Sequence, residues 1–220
     1  MEDKSETSIS FVYQCSGNFR KHFVGINSHF RNSIEHGFLD GDKLWFSQYL
    51  KTHPTEDDVD LAEVSVLFRI NRRAETLCLN YLQANMPTIQ LATGGRATHI
   101  VDKVIYGAEI ILSIKRDVIL RRETKENVED DIYEAAVTYF NEAINTDWSQ
   151  LKLPPPLENV SCTIFSSIDL NIINRNSFIQ TSNWLRDTIK DPDNQWRPVD
   201  VVLHRLPELK ARCSCHSKEY

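Results

Sequence analysis

The sequence predicts an α+β fold in which a long, bent antiparallel sheet is flanked by helices. From Ala97 to Arg116 the side chains alternate. Ile100, Val104, Tyr106, Ile110, Leu112 and Ile114 share one parity, while His99, Lys103, Glu109, Ser113 and Lys115 hold the other. That is the period of a strand, and at roughly 3.3 Å per residue the run would reach on the order of 60 Å. Glu63–Asn71 alternates in the same way through Val64, Val66, Phe68 and Ile70. The period then changes. Val128, Ile132, Ala135, Ala136, Tyr139 and Ala143 are spaced three and four apart, the apolar stripe of a helix. Long antiparallel strands with helices set beside them make an α+β domain.

The remaining elements follow in order. Residues 1–10 are polar and read as frayed, and residues 1–20 form a polar, partly disordered N-terminus ahead of a single domain at 21–209. Val24, Ile26, Phe30, Ile34 and Phe38 are apolar at even positions, against polar Asn27, His29, Arg31, Ser33 and Glu35. This predicts a second amphipathic strand or hairpin arm, with Lys43–Leu50 as a returning strand after the turn residues Asp40-Gly41-Asp42. Thr52–Asp60 is an acidic loop, and Thr76–Leu82 extends the strand that begins at Glu63. Gly94-Gly95 turns into the long strand, and Gly107 inside it predicts a bend or bulge.

Glu126, Glu129, Asp130 and Asp131 suit the positive end of the first long helix. Pro154-Pro155-Pro156 forbids both helix and ladder and makes a stiff connector. Val160, Cys162, Ile164, Ile168 and Leu170 restore a strand. Asn176-Ser177 offers N-cap chemistry for a helix with the stripe Phe178, Thr181, Leu185 and Ile189. Val199, Val201 and Leu203 form a last strand, and residues 210–220 are a flexible tail.

Hydrophobic content of 41%, charged content of 25% and a net charge of -6 are those of a globular protein without the basic surface that nucleic-acid binding requires. Two local clusters, Arg69, Arg72, Arg73 and Arg116, Arg121, Arg122, read as solvated strand ends. The first residues carry no secretory signal, and no segment approaches the ~18 apolar residues of a membrane-spanning helix. The expected location is the cytoplasm, or outside the cell if the N-terminus is incomplete. Five cysteines (Cys15, Cys78, Cys162, Cys213 and Cys215) at irregular spacing make no disulfide framework. The sequon at Asn159 matters only if the chain is secreted.

No constellation predicts catalysis. His22, His29 and His36 recur every seven residues, but Gly25, Asn27, Asn32 and Gly37 make a poor helix there, and a strand would scatter them over both faces. Cys213, Cys215 and His216 supply a single knuckle, whereas structural zinc sites draw on two. A base at His99 would need a nucleophile or carboxylate in geometry, Asp102 falls on the opposite strand face, and His99 reads as a structural polar residue near the bend. There is no P-loop, dinucleotide fingerprint, H-E-x-x-H or G-x-S-x-G. The reading is a non-enzyme with no metal, no cofactor and no small-molecule substrate.

Thr98-His99-Ile100-Val101 followed by Tyr106-Gly107-Ala108 resembles the strand A-T-H-V-V…Y-G-A of the stonustoxin-like branch of the perforin/cholesterol-dependent-cytolysin (MACPF/CDC) superfamily. Leu157–Phe165 is similar to that family's following strand, and Phe178–Ile189 with Pro198–Leu203 to its closing helix and strand. The likeness covers roughly residues 62–209. It implies a bent antiparallel sheet whose flanking helical clusters, in pore-forming members, unfurl into two amphipathic hairpins that enter a membrane and join a ring. Here it implies a truncated version. The family's opening strand is not recognisable, and the acidic region between Arg116 and Asn159 offers little that could become a hairpin. The chain also stops soon after the domain.

The expectation is therefore a protein-interaction or self-association module with degenerate pore-forming machinery, its partner a protein or a second copy. The alternative is a membrane-binding, cytolysin-like pore-former or a fragment of one, in contact with membrane lipid. Val24, Ile26, Phe30, Ile34 and Phe38 are the candidate hairpin residues, and Thr98, His99, Tyr106, Gly107 and Ala108 the structural motif.

Overall fold

The computed structural model describes residues 6–13, 17–25, 36, 44–52, 61–76, 99–118, 124–146, 148–168, 173–175, 177–191 and 196–205. Among these the strands are β1 (Glu6–Tyr13), β2 (Leu61–Thr76), β3 (His99–Asp117), β4 (Ser161–Ser166), β5 (Ile173–Arg175) and β6 (Arg197–Arg205). The helices are α1 (Gly17–Phe23), α2 (Ser47–Lys51), α3 (Lys125–Asn145) and α4 (Phe178–Lys190). The sheet runs β1-β2-β3-β4-β5, and β6 also pairs with β3. The chain forms two compact units. One comprises Met1–Glu6, Asn71–Gly107 and Trp196–Tyr220, the other Thr7–Ile70 and Ala108–Gln195.

In the second unit the sheet is covered on both faces. Ala62, Val64, Val66, Phe68 and Ile70 of β2 are buried on one parity, as the alternation predicts. Glu63, Ser65 and Leu67 are buried too. On β3 the run from Ile110 to Ile114 is buried throughout, including Ser113. The sequence places these odd residues on a polar face, and the structure corrects that expectation because a second layer lies over it. Phe46 and Tyr49 of the α2 region pack with Leu67, Ile111 and Phe165 in one cluster.

The opposite layer is α3 and α4. Thr124 caps α3 by accepting the Asn127 N–H at 3.3 Å. Val128, Ile132, Ala135, Ala136, Tyr139, Phe140 and Ala143 form its buried stripe, matching the predicted spacing. Phe140 stands edge-on to Phe68 at 5.0 Å and meets Phe178 of α4 at 5.6 Å. The Tyr139 hydroxyl bonds Ser182 Oγ at 2.7 Å, so this buried phenol is satisfied. The proline run contains a short 3-10 turn, Pro155–Leu157, that buries Leu157. β4 pairs antiparallel with β3 from Ile110↔Ser166 to Lys115↔Ser161, and β5 pairs with β4.

Three predicted elements differ. Residues 6–10, expected to be frayed, belong to β1 at the edge of the sheet beside β2. β1 precedes the first connecting segment, where the sequence showed no recognisable opening strand. Phe23 and Val24, read as the start of a strand, end helix α1 and its closing turn. The Val24 N–H donates to Arg20 O at 3.1 Å, and Gly25 at φ 81 stops the helix in the conformation glycine alone adopts freely. Lys43–Leu50, read as a returning strand, contains α2. The cause is the same in both cases: Arg20, Phe23, Val24 and Phe46, Tyr49, Leu50 follow i, i+3, i+4 spacing, yet Val24 with Ile26, and Leu44, Phe46 and Leu50, also fit a short period-2 window.

In the first unit, β3 pairs antiparallel with β6 from His99↔Arg205 to Gly107↔Arg197. The predicted irregularity is present but displaced. The register shifts between Val101 and Lys103 and again between Ile105 and Tyr106, while Gly107 itself is paired. At the first shift Val101↔Leu203 is followed by Lys103↔Val202, leaving Asp102 as the extra residue. Arg72 lies over Trp196 at 5.1 Å and Arg73 over Tyr106 at 4.6 Å, which fastens β2 to its neighbours here.

Phe140 is fully buried among Phe68, Tyr139 and Phe178. Phe140→Ala should cost about 3–5 kcal/mol in urea unfolding with little change in m-value. A loss below about 1 kcal/mol would show that this aromatic layer does not hold α3 to the sheet.

Candidate functional site

The most unusual chemistry lies where α1 and α2 meet β2 and β3. Arg20, fully buried on α1, forms an ion pair with the Glu63 carboxylate on β2. The other Glu63 oxygen accepts the Ser113 hydroxyl of β3 at 2.6 Å. Arg20 Nη1 also donates to the Tyr49 carbonyl at 3.3 Å, and its guanidinium lies 4.8 Å from the Tyr49 ring centre. One arginine thus ties α1, α2 and the sheet together in a water-poor site. A buried charge here is tolerable only because it is paired and hydrogen-bonded. Phe23 and Val24 pack against the neighbouring apolar cluster.

A second buried carboxylate approaches the start of β2 from α3. Glu129 Oε1 accepts the Glu63 backbone N–H at 3.3 Å. Burial raises the Glu129 pKa above the ordinary carboxylate value, and the Glu63 N–H and the Lys125 charge offset this only in part.

The predicted motif residues are dispersed rather than convergent. His99 is exposed and pairs with Arg205, and Asp102 occupies the bulge. The Tyr106 hydroxyl donates to Glu75 Oε2 at 3.2 Å. Gly107 and Ala108 are buried within β3. Thr98, Ile26, Phe30, Ile34 and Phe38 lie outside the described residues, as do His29, Cys15, Cys78, Cys213, Cys215 and His216, while Val24 is half-buried beside the cluster. His22 and His36 are exposed. Cys162 is buried on β4, and burial pushes its thiol up to about 12, far from a reactive thiolate. Among the described residues no three His, Cys, Asp or Glu side chains converge on a metal position, and no helix is long and apolar enough to cross a membrane.

Arg20, Glu63 and Ser113 were not singled out by the sequence. Glu63 carried a signal, a charge opening an otherwise apolar strand. Arg20 carried only its helical spacing to Phe23 and Val24.

Sheet order, the helices on both faces and the arrangement of β1 to β5 allow comparison with solved structures. Stonustoxin matches over 97% of this chain with a TM-score of 0.55 at 13% identity. The chain has a MACPF/CDC-like fold. The sugar-binding protein pneumolysin matches this domain over 92% of the chain, TM-score 0.54 at 9% identity. The chain spans 29% of the stonustoxin chain and 40% of the pneumolysin chain. No family model matches the sequence, and no curated protein sequence does.

Arg20→Met strands the Glu63 carboxylate and should cost about 3–5 kcal/mol in urea unfolding, while Arg20→Met with Glu63→Gln should cost clearly less than the sum of the single changes. Additive losses would mean that the two groups do not depend on each other. Glu129→Gln tests the second carboxylate. Because the folded pKa is raised, the folded state holds the proton longer than the unfolded chain. Stability therefore falls as pH rises from about 4.3 through the raised value, and the cost is complete above it. The variant should melt higher than the parent at pH 7, with the gap closing below about pH 4.

Proposed function

We propose that the chain is a non-enzymatic protein-interaction or self-association module that keeps the MACPF/CDC-like frame and has lost competence to form a pore. One observation carries this reading: the pattern of α3. Its apolar residues have helical spacing and are committed to the core. Rewritten as a strand, the even parity alternates Val128, Ile132, Ala136, Phe140 and Ile144 with Glu126, Asp130, Glu134, Thr138 and Glu142, and the odd parity is apolar only from Tyr133 to Tyr139, between Asp131 and Asn141. A strand facing lipid needs an unbroken apolar side, and charges at mid-bilayer cost about 2–4 kcal/mol each for basic residues and somewhat less for acidic ones. Neither parity of α3 offers an apolar side as long as the roughly 9–11 residues of a membrane strand, which supports reading this segment as a helix rather than a membrane hairpin.

The second reading, a membrane-binding pore-former or a fragment of one, is favoured by the alternation of Val24, Ile26, Phe30, Ile34 and Phe38. That segment has the alternation of an amphipathic strand, broken on its apolar side by Ser28, Asn32 and His36. The irregular cysteine pattern favours a reducing, cytosolic setting for the first reading.

Liposome flotation and dye leakage with the intact chain, over several lipid compositions and pH values, separate the two. No flotation, no leakage and no rings in electron micrographs are expected, together with capture of a specific protein or a second copy. Dose-dependent leakage would overturn the proposal.

A further inference from the structure

Acidic residues crowd the first turns of α3, and the positive end of the helix would accept any of them at its surface. Glu126, Asp130 and Asp131 are exposed, whereas Glu129 is turned into the buried stripe beside Val128 and Ile132. A carboxyl group placed there is costly unless it holds a partner. Its partner is the Glu63 backbone N–H, near the start of β2. Glu63 is also held from the opposite layer. Its carboxylate pairs with Arg20 of α1 and accepts the Ser113 hydroxyl of β3. Arg20, Glu63 and Glu129 are all buried, so this run of contacts passes through the interior from one helical layer to the other.

We propose that Glu129 is a positioning residue for the Arg20–Glu63 pair, and that through Glu63 the two helical layers are interlocked across the sheet. A strand end is the least restrained part of a ladder, and a buried ion pair depends closely on the placement of both members. Glu129 fixes the Glu63 backbone. The Glu63 carboxylate then meets Arg20, and Arg20 carries α1 and, through the Tyr49 carbonyl, α2. Such coupling is reciprocal. Whatever draws α3 from the sheet loosens α1 and α2, and whatever lifts α1 loosens the start of α3. The acceptor oxygen at position 129 transmits the effect, so an amide there serves as well as a carboxylate. This interlock is independent of the interaction-module reading, and its test involves neither membranes nor partners.

Hydrogen exchange read by mass spectrometry on the intact chain tests it, with the peptide over α4 as internal reference. Glu129→Ala removes the acceptor from α3. Exchange over α1 and its closing turn, residues 17–25, should then rise at least about fivefold relative to α4, the low end of coupling between directly linked groups. Glu129→Gln keeps an acceptor oxygen and should leave α1 within about twofold of the parent. Glu134→Gly loosens α3 from its exposed side without touching Glu129, and should also leave α1 within about twofold. In the reverse direction, Arg20→Lys keeps the charge but loses the planar fork, and should speed exchange in the first turns of α3.

Unchanged α1 exchange in Glu129→Ala, with α3 alone faster, overturns the proposal. An equal rise in Glu129→Gln overturns it as well, since charge and not placement would then be acting. So does an equal rise in Glu134→Gly, which would mean general loosening of the helix. Should Glu129→Ala fail to fold, Arg20→Lys decides: unchanged exchange at the start of α3 overturns the interlock.

Discussion

Burial of β2 and β3 on both faces makes unpartnered polar groups costly there, and although Ser65 Oγ is left without a hydrogen bond, the charged group is not. Glu63 and Ser113 sit where an exposed face would let them meet water. Instead they meet each other and Arg20, and that single arginine reaches the Tyr49 carbonyl as well. The α1–α2 layer adds a charged, geometry-demanding contact to its apolar cluster, whereas α3 and α4 are held mainly by packed aromatic rings. Hydrophobic packing is non-directional and tolerates small shifts, while a buried ion pair specifies one register or none.

α3 joins fold to function. The same four-residue recurrence that makes it a good helix, apolar toward Phe68 and acidic toward solvent, spoils it as a strand. A sequence that must serve as a helix in one state and a lipid-facing strand in another has to satisfy two periods at once. In α3 the helical period is the fuller one, burying Val128 to Ala143 along one stripe, while the strand period holds only from Tyr133 to Tyr139.

The Asp102 bulge shows how little is needed to rearrange the faces of a ribbon. One residue of slippage gathers Val101, Val104, Val201 and Leu203 on one side of the first unit. The parity of residues 99–107 in the sequence separates Val101 from Val104, so this face is invisible to any count of alternate residues. Gly107 drew attention to the right strand, but the ladder breaks at neighbours whose side chains gave no sign of it.

What the sequence determined by itself was the period of each long element. Val64 to Ile70, Ile110 to Ile114, Val128 to Ala143 and Phe178 to Leu185 declared strand or helix, because their side chains repeat over enough residues for only one geometry to bury them. The residues of the motif at 98–108 carried the likeness of fold, and β4 and β6 followed the pattern. Tertiary structure alone decided the rest. Residues 23–24 and 43–50 are too short for periodicity to discriminate, and their helices exist because Arg20, Phe23, Phe46 and Tyr49 have a sheet face to cover. The pairing of Arg20 with Glu63 spans 43 positions. The apolar side of the β3–β6 ribbon depends on which residue of β3 is left over. Contacts of that range are set by how whole layers stack, and no local repeat encodes them.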